Sequence, residues 1–266
     1  METWRFIDSG PCTGAFNMAM DVALVSGLSD SPTLRLYAWR PWAISLGFHQ
    51  KADDLDFEKC VYAGIDVVRR PTGGKAILHA EEITYCVSVP KKHRLYRLRP
   101  LNVYNQISLA LIEGLNSLGL GVTLERQNSQ APNYRGQFAC FESSAKYEIQ
   151  HNGKKVVGSA QRRFKHGLLQ HGSILTSNAH LRLANYVIGT KTLANGIGET
   201  STDLHAISGR VVSWTALTGA LRLGFRNVLN IRFTDKPLSS SELGTINQQS
   251  VFYQLSGGIQ ICESIQ

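Results

Sequence analysis

The sequence predicts an α+β fold, in which a mixed β-sheet is flanked by helices. Short strand-like runs come in neighbouring pairs, and Asn152-Gly153 between two of them is a strong hairpin signal. Longer segments with apolar residues at helical spacing separate these pairs. Hydrophobic residues make up 43% of the 266 residues and charged residues 18%, as in a globular protein with a substantial core. Hairpins with intervening helices favour α+β over a doubly wound parallel sheet.

The first ninety residues alternate short strands with two helices. The first helix is indicated by Phe16, Met20, Ala23 and Leu24, which fall on one face at helical spacing. The second helix ends at Gly64, a typical helix stop. The helices are predicted over residues 14–28 and 54–63, and the strands over 2–7, 34–38, 43–47, 65–70, 76–79 and 83–89.

The second half begins with a strongly amphipathic helix that runs from Tyr104 to Leu118 and ends at Gly119. A polar loop is predicted over 126–138, followed by strands over 146–150, 155–161 and 168–175. From residue 177 the pattern indicates helices and loops, and Ser239 with Glu242 forms a capping box before a late helix. We expect a catalytic domain over residues 1–235 and a helical C-terminal tail over 236–266.

The composition of the chain argues against nucleic acid and against a membrane as partners. The net charge is +8, but Lys and Arg are scattered, and the densest cluster, 91–99, lacks the aromatic residues of a single-strand binder. We therefore expect no nucleic acid and favour an acidic protein partner, whose encounter a positive field accelerates. No run of eighteen apolar residues exists, and the first residues lack a secretory pattern, so we expect no membrane association.

The cysteines indicate a thiol that is available for chemistry. None of the five forms a CxxC pair, which argues against a zinc cluster and against a disulfide framework. A reducing cytoplasm is the expected location. No group of His, Cys or carboxylate residues has the spacing of metal ligands, so neither a metal nor another cofactor is expected.

The stretch from Arg69 to His79, RRPTGGKAILH, is the first candidate site. Two adjacent glycines allow close backbone approach and expose amide donors, and the arginines supply charge for an anion. The alternative is a tight hairpin with two surface arginines. The patterns GxxxxGK[ST] and GxGxxG are both absent, which excludes the two common phosphate-binding loops.

Cys140 and Lys155 are the second candidate pair. A thiolate is a strong nucleophile in acyl transfer, and a nearby ammonium favours the thiolate form. Alternation along the hairpin at Asn152-Gly153 can bring Lys155 across the sheet to Cys140. Alternatively, the cysteine is a small buried apolar residue and the lysine lies on a solvated hairpin shoulder.

These stretches resemble the signatures of the biotin/lipoate protein ligase superfamily. RRPTGGKAILH is similar to RRxTGG(G/R)xxxH, KVVGSAQ to the lysine motif Kx(V/A)GSAQ, and QHGSIL to the following QHGSI/L strand. A cysteine before the lysine hairpin, with a basic residue at Lys75 in place of a third glycine, resembles the Cys-dependent octanoyltransferases of the Gram-positive type. The resemblance extends over residues 1–230.

The resemblance implies the catalytic-domain fold of that superfamily and a ping-pong mechanism. Cys140 would take an octanoyl group from octanoyl-acyl carrier protein as a thioester. A lysine of a lipoyl domain of a 2-oxoacid dehydrogenase, or of the glycine-cleavage carrier protein, would then accept it. Lys155 would hold the acyl carbonyl and favour the thiolate, and backbone donors near Cys140 would hold the oxyanion. The implied substrate-binding residues are Arg70, Thr72, Gly73, Gly74, Lys75, His79, Gly158, Ser159, Ala160 and His171.

Three other functions remain open from the sequence. An ATP-dependent lipoate ligase would use Arg70 and Lys155 on an acyl-adenylate and would not need Cys140. An amidotransferase would move octanoyl between two lipoyl proteins, and the acyl donor distinguishes it. A catalytically silent subunit that binds acyl-carrier proteins would not need Cys140 and Lys155.

Overall fold

The chain folds into two β-sheets with helices on their outer faces and a cavity between them. The structure is a computed structural model, and it describes residues 1–28, 31–125, 139–142, 148–189 and 193–256. The predicted loop 126–138, Cys262 and the end of the predicted tail lie outside the described residues.

The large sheet has eight strands in the described residues and mixes parallel and antiparallel pairs. The N-terminal strand, Glu2–Cys12, pairs in parallel with both of its neighbours, and the remaining pairs are antiparallel. In spatial order the strands are β11 (Ile231–Asp235), β1 (Glu2–Cys12), β2 (Thr33–Trp39), β6 (Glu82–Pro90), β10 (Gly167–Leu175), β9 (Lys154–Arg163), β8 (Ile149–His151) and β7 (Thr123–Leu124).

The small sheet covers one face of the large sheet. In spatial order its strands are β12 (Gln254–Ser256), β4 (Asp66–Arg69), β3 (Ala43–Leu46) and β5 (Ile77–His79). The glycine turn predicted from the sequence connects β4 to β5, so it lies at the end of this sheet.

The helices begin and end at residues that suit those positions. Thr13 accepts a hydrogen bond from the Phe16 amide at the start of the first helix, and Pro100 occupies the first turn of the fourth. Asn230 ends the seventh helix with φ of 53°. The helices are α1 (Gly14–Ala23), α2 (Phe57–Tyr62), α3 (Arg94–Arg97), α4 (Pro100–Ser117), α5 (Leu193–Thr200), α6 (Leu204–Ser208), α7 (Trp214–Leu229) and α8 (Ser240–Ser250).

The main hydrophobic core lies on the outer face of the large sheet. Helices α4 and α7 pack there side by side, and Leu111 and Leu221 are fully buried between them and the strands. The helices approach closely at Gly114, where an added Cβ would lie 2.6 Å from the carbonyl oxygen of Ala220. Burial of this apolar surface fixes the outer face and leaves the other face for the cavity.

The inner face of the large sheet is unusually polar for a buried surface. One row across β2, β6, β10 and β9 aligns Tyr37, Thr84, Ser173 and Gly158. The row two residues further along aligns Arg35, Cys86, His171 and Ala160. Side chains two residues apart share a face of a strand, so both rows point toward the small sheet and α1.

The predicted α+β fold is confirmed, and several elements agree closely with their predicted positions. Asn152 and Gly153 have φ of 49° and 80°, as a type I′ hairpin turn requires. The capping box at Ser239 and Glu242 is present. The helix predicted over 14–28 is confirmed, with its last turn, Leu24–Leu28, in the π-helical form.

The expectation of helices and loops alone after residue 177 is wrong. Strand β11 pairs in parallel with β1, and β12 pairs with β4. Both are short and lie at sheet edges, so neither has the long alternating pattern from which strands are recognised. Arg5 of β1 forms an ion pair of 2.6 Å with Glu242 of α8. The division into a domain and a tail at residue 235 stays a prediction.

Four cysteines are described. Cys60, Cys86 and Cys140 are free thiols, whereas Cys12 is disulfide-bonded, which the spacing of the cysteines does not indicate. Cys60 and Cys86 are fully buried. Burial raises the pKa of Cys60 to about 11 and the pKa of Cys86 well above its ordinary value. Cys140 is the one free cysteine among the described residues that is not buried.

Candidate active site

A cavity between the two sheets brings together most of the residues predicted from the sequence. Its interior volume is about 50 Å³. The predicted residues that line it are Arg70, Gly74, His79, Cys140, Gly158, Ser159, Ala160 and His171. The remaining lining residues are Met18, Tyr37, Trp39, Ser45, Ile77, Thr84, Gly172 and Ser173.

Cys140 lies in a short 3-10 turn, Cys140–Glu142, at one end of the cavity. Its amide donates a hydrogen bond of 2.9 Å to the carbonyl oxygen of Ala76, which ties it to the end of the glycine turn. The following residue, Phe141, packs against Gly158 of β9, where an added Cβ would lie 3.1 Å from the ring. The glycine of the GSAQ motif therefore makes room for the residue next to the thiol. The Cys140 amide is therefore already engaged, and the expectation that backbone donors near Cys140 hold the oxyanion stays a prediction.

Lys155 is buried and points toward Cys140, whereas its neighbour Lys154 is exposed on the other face of β9. The Lys155 ammonium donates a hydrogen bond of 2.9 Å to the carbonyl oxygen of Cys140 and forms an ion pair of 2.7 Å with Glu148. Lys155 does not line the cavity. The Glu148 carboxylate balances the charge of the Lys155 ammonium. The contact of Lys155 with Cys140 is a hydrogen bond to the backbone carbonyl oxygen, not to the thiol.

The glycine turn is built around Arg70. The guanidinium donates to the carbonyl oxygens of Ser45, Gly73 and Lys75 at 2.8 to 3.2 Å and to the Ser45 hydroxyl at 3.2 Å. Gly74 has φ of 96°, a backbone conformation that favours glycine. The turn therefore wraps its carbonyl groups around a buried cation.

Three predicted binding residues and the neighbouring Arg69 have roles other than lining the cavity. Thr72 is fully buried and contacts His171, while Gly73 and Lys75 present carbonyl oxygens to Arg70. Arg69 donates to the carbonyl oxygens of Gly47, Phe48 and Gln50 and so holds a neighbouring turn. Thr72, Gly73 and Lys75 are thus not among the described residues that line this cavity, and their part in substrate binding stays a prediction.

His79 is the centre of one buried hydrogen-bond network. Its Nε2 lies 2.7 Å from the Ser45 hydroxyl, and its Nδ1 lies 2.7 Å from Oε1 of Glu82. The ring stacks on Trp39 with 3.9 Å between centroids. The Glu82 carboxylate also accepts hydrogen bonds from Thr84 and Ser173. His79 is thus a buried wall of the cavity with a fixed orientation, rather than a surface residue.

His171, which also lines the cavity, is the centre of a second buried hydrogen-bond network. Its Nδ1 lies 2.8 Å from Oδ2 of Asp21, and its Nε2 lies 2.6 Å from the Thr72 hydroxyl. Asp21 also pairs with Arg35 at 2.9 Å and accepts a hydrogen bond of 2.9 Å from Tyr37. Burial alone would raise the pKa of Asp21, but the His171 hydrogen bond and the Arg35 charge hold it below its ordinary value.

Sequence reasoning missed the carboxylates and the serine of these networks. Asp21 interrupts the apolar pattern of the first predicted helix, and a charged residue on an apolar helix face is a usable signal. Glu82 follows His79 by three residues, but it lies in the gap between the predicted strands 76–79 and 83–89, so the strand pattern does not mark it. Ser45 lies in an ordinary apolar strand, and nothing in the sequence marks it.

The family model for the lipoyl protein ligase A/B catalytic domain matches residues 13–225, which include the glycine turn, Cys140 and the β8–β9 hairpin. The chain belongs to this family. The resemblance noted in the motifs is thereby confirmed.

Curated relatives of this family member extend over nearly the whole chain. Octanoyltransferase LipM of Kyrpidia tusciae is 36% identical and covers 95% of this chain and 97% of its own. Octanoyltransferase LipM of Bacillus subtilis is 33% identical and covers 92% and 93%. The chain is therefore similar to these octanoyltransferases along their full length.

Solved structures confirm the fold of this family member. Lipoate-protein ligase A bound with ATP superposes with a TM-score of 0.76 at 22% identity, covering 94% of this chain and 95% of that one. A chain of the bipartite lipoate protein ligase system of Thermoplasma acidophilum gives 0.75 at 18% identity, covering 94% and 93%. At these identities the likeness concerns the fold.

Proposed function

We propose that this chain is an octanoyltransferase of protein lipoylation that moves an octanoyl group from acyl carrier protein to a protein lysine through a thioester on Cys140. The full-length similarity to octanoyltransferases named LipM supports acyl transfer as the activity. The observation that carries the covalent mechanism is the position of Cys140, a free thiol at one end of a buried cavity.

In this proposal the cavity receives the acyl chain. Cys140 and Gly158 both line it, Gly158 is in the row that contains Ser173, and the next row contains Ala160 and His171. In this proposal the octanoyl chain runs from Cys140 across these two rows toward Met18. Removal of its methylene groups from water would stabilise the bound chain by about 0.8 kcal/mol for each group.

The first half-reaction transfers the acyl group to the enzyme. The Cys140 thiolate attacks the thioester carbonyl carbon of the octanoyl carrier, and a new C–S bond forms. The bond between that carbon and the carrier sulfur then breaks. The carrier leaves as a thiolate and takes up a proton, which balances the proton lost by Cys140.

The second half-reaction transfers the acyl group to the acceptor. A neutral lysine amine of a lipoyl domain, or of the glycine-cleavage carrier protein, attacks the Cys140 thioester. The amine loses a proton, the C–S bond breaks, and Cys140 returns as a thiolate. The products are an octanoyl amide and the free enzyme. We propose His79 and His171 as walls that hold the acyl chain.

The proposed substrates are acidic carrier domains, which suit a chain of net charge +8. We propose the cytoplasm as the location, because three of the four described cysteines, Cys140 among them, are free thiols, although Cys12 is disulfide-bonded. In the part of the chain that the structure describes, no helix is both long and apolar enough to cross a bilayer.

Intact mass spectrometry tests this function. The protein is incubated with octanoyl-acyl carrier protein without ATP, and a mass increase of one octanoyl group at the Cys140 peptide is expected. Addition of a lipoyl domain should remove the adduct and octanoylate the domain. The Cys140→Ala variant is the control and should form no adduct and transfer no octanoyl group.

The same experiment separates the alternatives. Transfer that requires ATP and survives Cys140→Ala would indicate a lipoate ligase. An adduct that forms with octanoylated glycine-cleavage carrier protein but not with the acyl carrier protein would indicate an amidotransferase. Absence of transfer from either donor, with the chain still binding the carrier, would indicate a silent subunit.

A further inference from the structure

Arg70 is a buried cation whose partners are neutral. It is 4% exposed, and its guanidinium donates to the carbonyl oxygens of Ser45, Gly73 and Lys75 and to the Ser45 hydroxyl. No carboxylate among the described residues forms an ion pair with it. A buried charge that lacks a counter-charge costs several kcal/mol, so the fold retains Arg70 at an energetic disadvantage.

The other buried arginines are compensated. Arg5 pairs with Glu242 at 2.6 Å, and Arg35 pairs with Asp21 at 2.9 Å. Arg70 differs from both because its hydrogen bonds fix its position without balancing its charge. Such an arrangement is typical of a site where an anion is present during function.

Cys140 is the group that can supply this anion. Cys140 and Arg70 line the same cavity, and Arg70 is the one guanidinium or ammonium group among its described lining residues. The end of the glycine turn contacts both residues. The Arg70 guanidinium donates to the Lys75 carbonyl oxygen, and the Cys140 amide donates to the carbonyl oxygen of Ala76. Burial lowers the pKa of Arg70 to about 10, and the interaction with Cys140 acts in the opposite direction.

Lys155 is less suited to the same task. Its ammonium contacts the Cys140 carbonyl oxygen and is neutralised by Glu148 at 2.7 Å. A neutralised pair exerts a weaker field on a neighbouring sulfur than a single charge does. Lys155 therefore holds the backbone of Cys140 in place.

A chain of hydrogen bonds fixes the Arg70 guanidinium. Nδ1 of His79 donates to the Glu82 carboxylate at 2.7 Å, since a carboxylate only accepts. With the ring proton on Nδ1, Nε2 accepts from the Ser45 hydroxyl 2.7 Å away, and the Ser45 oxygen in turn accepts from Nη1 of Arg70 at 3.2 Å. Glu82 thus orients His79, and His79 orients Ser45.

We propose that Arg70 is the cation that stabilises the Cys140 thiolate, and that Ser45, His79 and Glu82 are positioning residues that aim its guanidinium into the cavity. The proposal deepens the proposed function and rests on Cys140 as its nucleophile. It assigns the electrostatic task to Arg70 and leaves Lys155 with the backbone of the nucleophile.

The test is the alkylation rate of Cys140 at neutral pH with neutral iodoacetamide and with anionic iodoacetate, read by mass spectrometry of the Cys140 peptide. In Arg70→Gln the iodoacetamide rate should fall about tenfold or more, since loss of an adjacent opposite charge disfavours the thiolate. The ratio of iodoacetate to iodoacetamide rates should also fall, because the cation that attracts the anionic reagent is gone. Arg70→Lys should retain most of this ratio, and Ser45→Ala should lower it less than Arg70→Gln.

The matched control is the double variant Lys155→Met with Glu148→Gln, which removes an ion pair without changing the net charge. Its iodoacetate to iodoacetamide ratio should stay within about threefold of wild type. A folded Arg70→Gln protein with wild-type rates would overturn the proposal. A double variant whose iodoacetate to iodoacetamide ratio falls more than about threefold below wild type would also overturn it. If Arg70→Gln does not fold, the ratio of the double variant is the measurement that tests the proposal.

Alkylation requires neither acyl donor nor acceptor, so it is independent of the proposed function. Transfer that survives Cys140→Ala would end the proposed octanoyl mechanism, while the alkylation ratios would still report whether Arg70 faces the thiol. The two failures are therefore distinguishable.

Discussion

The Nζ atom of Lys155 lies 2.9 Å from the backbone carbonyl oxygen of Cys140. This bond joins strand β9 to the short turn that carries the thiol, and Glu148 at 2.7 Å completes a buried ion pair beneath it. A hydrogen bond to the backbone sets the position of a residue more than its charge. Lys155 therefore controls where Cys140, the proposed nucleophile, lies relative to the cavity.

Substitution of Lys155 by Met should impair both folding stability and transfer. The buried Glu148 carboxylate would lose its ion pair with Lys155, and breaking a buried pair typically costs about 3–5 kcal/mol of unfolding free energy. The Cys140 turn would also lose an anchor, and a displacement of about 1 Å at a nucleophile can lower the rate about a hundredfold. Denaturant titration and the octanoyl transfer rate measure the two effects.

Lys154→Met is the matched control for this change. Lys154 is exposed, and its ammonium donates to the carbonyl oxygen of Gly198 at 3.2 Å. A surface substitution of this kind should alter stability by less than about 0.5 kcal/mol. Equal behaviour of the two variants would contradict the alternation of Lys154 and Lys155 along β9.

Asp21→Asn should destabilise the protein strongly. Asp21 is fully buried and holds Arg35, Tyr37 and His171, so the variant leaves the Arg35 charge without a counter-charge. Removal of one partner of such a pair typically costs about 3–5 kcal/mol. Urea unfolding at neutral pH measures the loss. Asp53→Asn, at an exposed carboxylate, is the control, and an equal effect at both positions would contradict the network.

The parts of the fold that follow local rules could be predicted from the sequence. The type I′ turn at Asn152-Gly153 and the capping box at Ser239 are set by neighbouring residues, and both are confirmed. Strand β11 depends on pairing with β1, more than two hundred residues away in sequence. Such non-local pairing overrides a weak local pattern, so the prediction after residue 177 is wrong at β11.

The residues of the candidate site also divide into those that local motifs identify and those that only the tertiary fold brings together. Motifs identified the residues that line the cavity from the glycine turn and from β9, because their spacing is local. Ser45 and Asp21 come from other elements and meet His79 and His171 only through the tertiary fold. The sequence also could not reveal that Lys155 has Glu148 as a partner, and this pairing changes the role inferred for Lys155.

Transfer from acyl carrier protein should slow as salt rises. A chain of net charge +8 attracts an acidic carrier at long range, and ions screen this field over about 10 Å at 0.1 M salt. The apparent second-order rate constant should therefore fall between low and physiological salt. A neutral octanoyl thioester without the carrier is the control and should react at a constant rate. A flat profile for the carrier would rule out electrostatic steering.

Glu242→Gln should destabilise the protein at neutral pH, and the difference from wild type should vanish in acid. Burial would raise the pKa of Glu242, but the hydrogen bond from Arg5 and those from Ser239 lower it to about 2 from an ordinary value of 4.5. A folded-state pKa below the unfolded value means that the carboxylate stabilises the fold fully above about pH 4.5. This stabilisation decreases as the pH falls toward 2.

The expected loss at pH 7 is about 2 kcal/mol, typical of a hydrogen bond to a charged group. Urea unfolding of both proteins between pH 7 and pH 3 measures it. Asp235→Asn is the control, because its ion pair with Arg222 leaves 66% of the Asp235 side chain exposed and should contribute less than about 1 kcal/mol. A Glu242→Gln deficit that stays constant down to pH 3 would contradict the lowered pKa. In that case the loss would come from packing of α8 against β1, rather than from the charge that holds them together.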